Sequence, residues 1–146
     1  MNKRRLLKLA DLLEADAKNK KGVKFDLSLW AKVDDLDYST SPDVIEVGCQ
    51  TTACAIGLAC ISGAFKLSGL AYDLVAKESS GGNNIVPRYR NYRDFPAIQK
   101  FFGITEDQAD HLFLDSSYAD SRCRGARGER AVAARIRSLV AGRLEV

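Results

Sequence analysis

The first part of the chain has its apolar residues at helical spacing. Leu6, Leu9 and Leu13 fall on one face of a helix predicted over residues 3–17, while the acidic side chains of this stretch fall elsewhere. A second helix is predicted to begin at Asp26, a favourable N-cap residue, and to continue through the apolar positions up to Val33. These patterns predict two helices near the start of the chain.

A third apolar stretch consists mostly of small residues. Thr51 or Thr52 is predicted to cap a buried helix that ends at Gly63. Small side chains allow another backbone to approach closely, so we expect this helix to lie at the centre of the packing.

The next segments predict a hairpin and a pair of helices. Residues 70–92 alternate in polarity around a Ser/Gly/Asn-rich break, which predicts two strands, and Pro87 places the second strand at an edge or ends it. A short helix is then predicted from Ala97 to Phe102, stopped by Gly103. Thr105-Glu106-Asp107-Gln108 is a capping box that opens the following helix.

The last helix is predicted from about Glu129 to Val140, and residues 44–47 predict a further short strand. The fold class is therefore α+β and predominantly helical, with five or six helices around one core and a small β-hairpin. A length of 146 residues predicts a single domain spanning residues 1–146. We expect flexible segments near residues 34–43, 78–84 and 115–127.

The composition of the chain indicates in which cellular compartment the protein is expected. No apolar run is long enough to span a bilayer, and charged residues interrupt the N-terminal apolar stretch, so neither a membrane location nor export is expected. We predict a cytoplasmic protein whose four cysteines are reduced.

The net charge of +3 is unevenly distributed, because the segment from Arg122 to Arg143 holds seven arginines and a single acidic residue, Glu129. Residues 88–93 also interleave arginine with tyrosine, a pattern that can contact phosphates and stack on bases. The alternatives are a solvated helix face and an edge strand whose tyrosines cover the core. The predicted partner-binding residues are Arg88, Tyr89, Arg90, Tyr92, Arg93, Arg122, Arg124, Arg127 and Arg130.

The cysteines raise the question of catalysis or metal binding. Cys54 near a helix start is the candidate nucleophile, and His111, the only histidine, is the candidate base. The cysteine spacings differ from those of common zinc modules, so no metal and no cofactor are predicted. The favoured interpretation is structural, with the residues Cys49, Thr51, Cys54, Gly57 and Gly103 serving close packing.

Two short motifs resemble those of a family of small uncharacterised bacterial and bacteriophage proteins. Residues 49–57 resemble its C-G-T-x-A-C-x-x-G motif, and residues 101–105 resemble the F-F-G-[LI]-[ST] motif that follows it. Gln50 departs from the family glycine, and Leu58 stands where the family has histidine or an aromatic residue. The family has no established activity, so the resemblance implies a fold and a phage-related origin.

Three function classes follow. The first is a non-catalytic interaction protein, of phage origin, that binds a macromolecule (a protein before a nucleic acid) through its arginine-rich surface. The second is a nucleic-acid-binding accessory protein that uses the same surface. The third is a cysteine-dependent enzyme that uses Cys54. The sequence does not define the oligomeric state.

Overall fold

The computed structural model describes residues 1–34, 51–76 and 82–146. These residues form five α-helices packed against a mixed sheet, which confirms the α+β class. The helices are α1 (Lys3–Lys18), α2 (Ala55–Ile61), α3 (Asp94–Phe102), α4 (Glu106–Phe113) and α5 (Gly125–Val140). Cys49 and the predicted strand at 44–47 lie outside the described residues, as do most of the segments 34–43 and 78–84.

The sheet is larger than the predicted hairpin. Its strands are β1 (Lys24–Phe25), β2 (Ala31–Val33), β3 (Thr51–Ala53), β4 (Leu70–Leu74), β5 (Ile85–Tyr89) and β6 (Tyr92–Arg93). Their order is β1-β3-β2-β5-β4, and β6 pairs with β5. Strand β1 runs parallel to β3, and the other pairings are antiparallel. The predicted hairpin is present as β4–β5, but it belongs to a six-stranded sheet.

The helix predicted from Asp26 to Val33 is wrong. Ala31–Val33 is strand β2, and the buried residues Val23, Phe25 and Leu27 alternate with more exposed ones, the period of an extended chain. Asp26 does not cap a helix, because its Oδ1 atom accepts hydrogen bonds from the backbone N–H and the hydroxyl of Ser28. The segment therefore forms a turn that leads into β2.

The helix predicted from Thr51 or Thr52 begins later, because Thr51–Ala53 is strand β3, paired with β2. The last helix begins earlier than predicted, at Gly125, and the expected flexible segment 115–127 contains its first turn. This segment also contains two 3₁₀ turns, Asp115–Ser117 and Asp120–Arg122.

Pro87 lies within β5 and neither ends the strand nor occupies an outer edge. The pairing of β2 with β5 is limited to Ala31 and Ile85, two residues before Pro87. Proline has no backbone N–H to donate. It is tolerated in this inner strand because the hydrogen-bonded pairing of β2 with β5 has already ended before Pro87.

Two asparagines that sequence reasoning assigned to a loop break complete the sheet. The Oδ1 atom of Asn84 accepts from the Val33 N–H at 3.0 Å, and its Nδ2 donates to the Val33 carbonyl at 2.9 Å. Asn83 Oδ1 accepts from the Trp30 N–H at 2.6 Å. Asn84 is fully buried, so its side chain replaces a strand backbone beside β2.

Helices α1 and α5 pack against each other and run antiparallel. Arg137 near the end of α5 binds Asp11 and Glu14 of α1, while Glu129 near the start of α5 lies beside Asp16 near the end of α1. Leu9 of α1 is one of the fully buried residues of this core. Within the described residues, none of the helices has the length and apolar character needed to cross a membrane.

Candidate binding surfaces

Cys54 caps the start of α2. Its Sγ atom accepts a hydrogen bond from the Gly57 N–H at 3.4 Å, and its own N–H donates to the Trp30 carbonyl at 3.0 Å. The side chain is 1% exposed, and burial raises the pKa of the Cys54 thiol to about 11. At neutral pH the group is therefore a buried thiol that serves as a cap, in agreement with the structural role predicted for it.

Gly57 and Thr51 also occupy structural positions. A Cβ atom on Gly57 would lie 1.8 Å from the Trp30 carbonyl oxygen, so the residue has to be glycine for α2 to lie against this backbone. Thr51 is 1% exposed in β3. Gly103 ends α3 in a left-handed conformation with φ 62°, as predicted.

The described residues show no hydrogen bond between Cys54 and His111, the pair that a cysteine hydrolase would need. His111 lies on α4, and burial together with nearby Arg135 lowers its pKa. Its Nε2 atom is buried without a hydrogen-bond partner. Cys54 is closed to solvent and held as a thiol, which counts against the enzyme hypothesis.

The other described cysteines do not form a metal centre. Cys60 is buried, and burial raises its pKa well above the usual range. Cys123 is partly exposed, and its Sγ donates to the carbonyls of Asp115 and Ala119 at 3.5 Å. Within the described residues, no group of three or more His, Cys, Asp or Glu side chains could hold a metal ion.

The arginines of the hairpin are held by an acidic neighbour. Arg88 Nε donates to Asp73 Oδ1 at 2.9 Å, and Arg93 Nε donates to Asp73 Oδ2 at 2.7 Å. Asp73 lies on β4, directly across from the second strand of the hairpin. Two of the predicted binding arginines therefore already share a carboxylate inside the protein.

The two tyrosines of this segment differ in exposure. Tyr89 is 7% exposed and packs edge-on against Phe101, so it belongs to the core and cannot stack on a base. Tyr92 is 40% exposed, with the Lys100 ammonium 5.4 Å from its ring centroid. Arg90 is exposed and lies over the Tyr89 ring at 4.9 Å. The assignment of Tyr89 to the partner surface is therefore wrong.

Several arginines at the end of the chain make intramolecular contacts. Arg137 binds Glu14 and Asp11 at 2.6–3.0 Å. Arg135 donates to the carbonyls of His111 and Ser117 at 2.8 and 2.6 Å. Arg124 lies 3.5 Å from Asp26. All three guanidinium groups therefore have partners within the fold, although only Arg124 and Arg137 face a carboxylate.

The other arginines near the start of α5 remain uncompensated. Arg122, Arg127 and Arg130 are exposed, and none of their side chains has a hydrogen bond or ion pair with a described residue. We call these three residues the α5 arginine surface. The first turn of α5 carries no acidic residue and no side-chain cap, so the positive end of the helix dipole adds to their field.

An acidic pocket adjoins the α5 arginine surface. Its volume is about 490 Å³, and Asp26, Asp115, Asp120, Cys123 and Arg124 are among its lining residues. The residues that lead into α5 therefore carry charges of both signs.

A second cluster of cations, which sequence reasoning missed, lies at the start of α1. Arg4, Arg5 and Lys8 line a cavity together with Phe65 of a segment some sixty residues later. The run Lys3-Arg4-Arg5 was visible in the sequence. The run alone does not predict a cavity, because the residues that complete the lining are distant in the sequence.

Sequence reasoning also missed a buried carboxyl pair between α1 and α5. Glu129 is 2% exposed and lies beside Asp16, and each leaves one buried carboxyl oxygen without a hydrogen-bond partner. Burial first, and then Asp16, raises the pKa of Glu129 to about 9. A proton shared by the two groups satisfies both orphaned oxygens.

Comparison of this chain with protein-family models, with curated proteins and with solved structures gives no significant match.

Proposed function

We propose that this protein is a non-catalytic interaction protein that binds an acidic partner protein through the α5 arginine surface. The observation that carries the proposal is the contrast within one arginine-rich segment. Arg124, Arg135 and Arg137 are engaged inside the fold, whereas Arg122, Arg127 and Arg130 point to solvent without an acceptor among the described residues. Arginine is enriched at protein interfaces and binds carboxylates in a bidentate manner.

The neighbouring acidic pocket favours a protein partner over a nucleic acid. Asp115 and Asp120 line this pocket together with Arg124, which lies between Arg122 and Arg127 in the chain, and their charges would repel a phosphate backbone that ran across the pocket. A protein partner can place acidic side chains against the arginines and basic side chains against the aspartates. Such complementary charge patterns are typical of specific interfaces.

Nucleic-acid binding is the second candidate function. The specific observation in its favour is the exposed part of the hairpin, where Tyr92 is partly exposed, the Lys100 ammonium lies near its ring, and Arg90 is exposed two residues before it. Cations beside an exposed aromatic ring suit single-stranded nucleic acid. The engagement of Arg88 and Arg93 by Asp73 reduces the charge available there.

Binding of two polyanions distinguishes these functions. Fluorescence anisotropy would compare labelled poly-glutamate with labelled single-stranded and duplex DNA of similar charge, over a series of salt concentrations. The test variant is Arg127→Gln with Arg130→Gln. The matched control is Lys20→Gln with Lys21→Gln, which removes the same charge from exposed residues after α1.

We expect poly-glutamate to bind more tightly than DNA, and the double arginine variant to weaken that binding several-fold more than the control does. Equal losses in the two variants would show that only net charge matters and would refute the assignment to α5. Tighter binding of DNA would favour the second candidate.

A further inference from the structure

The cavity at the start of α1 has the properties of a separate anion-binding site. Its lining residues are Asn2, Arg4, Arg5, Lys8, Phe65 and Ser68, and its volume is about 270 Å³. Three of the six carry a positive charge and none carries a negative one. We call this cavity the N-terminal basic pocket.

Two of its cations are fixed by the fold. Arg5 donates to the Phe101 carbonyl at 2.7 Å, and its guanidinium lies 4.3 Å from the Phe101 ring centroid. Lys8 Nζ donates to the Ala64 carbonyl at 2.6 Å and lies 5.1 Å from the ring centroid of Phe65. Contacts with carbonyls and aromatic rings orient both groups without neutralising their charge, so they are preorganised for an anion.

Arg4 supplies the unpaired cation of the site. It is exposed, and no hydrogen bond or ion pair joins its side chain to a described residue. A guanidinium in this position is free to form a bidentate contact with a carboxylate that enters the pocket.

An apolar side chain stands next to the pocket. Leu67 is 104% exposed, more than any other large hydrophobic residue described. It lies in the 3₁₀ turn Lys66–Ser68, whose last residue lines the pocket. A leucine presented to solvent beside a basic pocket offers apolar area that a binding partner can cover.

We propose that the N-terminal basic pocket binds an acidic peptide segment of a partner protein, with a carboxylate in the pocket and an adjacent apolar side chain on Leu67. The charge of the lining favours an anion, and the adjoining leucine favours a ligand that also carries apolar side chains. A nucleic-acid backbone presents a line of phosphates, whereas this site is a single concave pocket. This interaction goes beyond the proposed function, because it uses a different surface from the α5 arginines.

Selection from a displayed library of random peptides tests the inference with the full-length protein. We expect the selected peptides to combine acidic and apolar residues. Each peptide would then be titrated against Arg4→Gln with Lys8→Gln, against Leu67→Ser, and against Arg127→Gln with Arg130→Gln as a charge-matched control. The first two variants are expected to weaken binding by about tenfold each, the loss that follows from one strong interaction, while the control retains it.

Unchanged binding to both pocket variants would overturn the inference, as would an enriched set without acidic residues or a library that yields no binder. Tighter binding of a single-stranded oligonucleotide or of anionic phospholipid vesicles at this pocket would equally overturn it. If a variant shows no thermal unfolding transition, peptide binding is followed instead in the wild-type protein, by the NMR chemical shifts of the Leu67 methyl groups. The absence of a chemical-shift change on peptide addition would contradict the proposal. Loss of binding only in the α5 control would locate the peptide at the other surface and overturn the assignment to this pocket.

Discussion

The backbone at Gly57 lies against the backbone of Trp30, so that an added Cβ would stand 1.8 Å from the Trp30 carbonyl oxygen. The same carbonyl accepts the N–H of Cys54 at 3.0 Å. The start of α2 and the turn before β2 are therefore locked together through one peptide group. This contact explains why glycine ends the motif of residues 49–57.

Gly57→Ala is expected to lower the free energy of unfolding by about 3 kcal/mol or more, because the overlap involves backbone atoms that cannot move aside. Denaturant unfolding measures the change. Gly63→Ala provides the comparison, since Gly63 has φ 75° and a Cβ added there would meet no atom within 4 Å. That substitution should cost only about 1 kcal/mol of conformational strain. A similar loss at both positions would contradict the contact at Trp30.

Stability is expected to fall as the pH rises from about 4.5 to about 9, because the folded protein retains a proton on Glu129 that the unfolded chain releases. The contribution is fully present below the unfolded pKa and is lost as the pH passes through the folded pKa. Glu129→Gln should remove this slope and make the protein more stable than wild type at pH 8, by roughly 1–3 kcal/mol. Thermal unfolding at several pH values is the measurement.

Glu14→Gln serves as the control, because the pH dependence of stability that Glu14 contributes has the opposite sign to that of Glu129. The hydrogen bond from Arg137 lowers the pKa of Glu14, so its contribution is present above the unfolded pKa and is lost in acid. The substitution should therefore weaken the protein at neutral pH and leave it nearly unchanged at low pH. If Glu129→Gln behaved in the same way, the shared proton would be disproved.

Asn84→Ala is expected to destabilise the fold by about 2–3 kcal/mol, because it removes a buried side chain and leaves the N–H and carbonyl of Val33 without their side-chain partners. Asn19→Ala is the matched control, since Asn19 makes one exposed bond to the Lys21 N–H. It should change stability by less than about 1 kcal/mol. Equal effects of the two substitutions would show that Asn84 does not complete the sheet.

Thiol labelling is expected to distinguish the cysteines in a Cys49→Ser background. Cys123 is partly exposed and should react first, whereas Cys54 and Cys60 should react only as fast as the protein unfolds. Mass spectrometry of the labelled protein gives the order. Rapid labelling of Cys54 at neutral pH would revive the enzyme hypothesis.

Local signals in the sequence predicted local structure. The helix α1, the end of α3 at Gly103 and the capping box at Thr105 depend on residues within a few positions of each other, and the β4–β5 hairpin joins two strands that are neighbours in the chain. The pairing of β2 with β3 escaped prediction because it joins Ala31 to Ala53 across the fold.

The binding surface could be predicted only in part, for the same physical reason. The sequence shows which residues are arginines but not which carboxylate each one meets. Arg137 pairs with Glu14, 123 positions away, and Arg88 pairs with Asp73 on the neighbouring strand. Only the folded arrangement separates these arginines from Arg127 and Arg130, which remain open to a partner.

The pairing of α1 with α5 also constrains how the protein folds. Helix α1 packs mainly against α5, and its Glu14 binds Arg137, 123 positions later in the chain. Contacts of such large sequence separation close slowly, because the intervening chain must be ordered before they form. Until then α1 exposes an apolar face, so the growing chain has a long interval in which it is prone to aggregation or dependent on a chaperone.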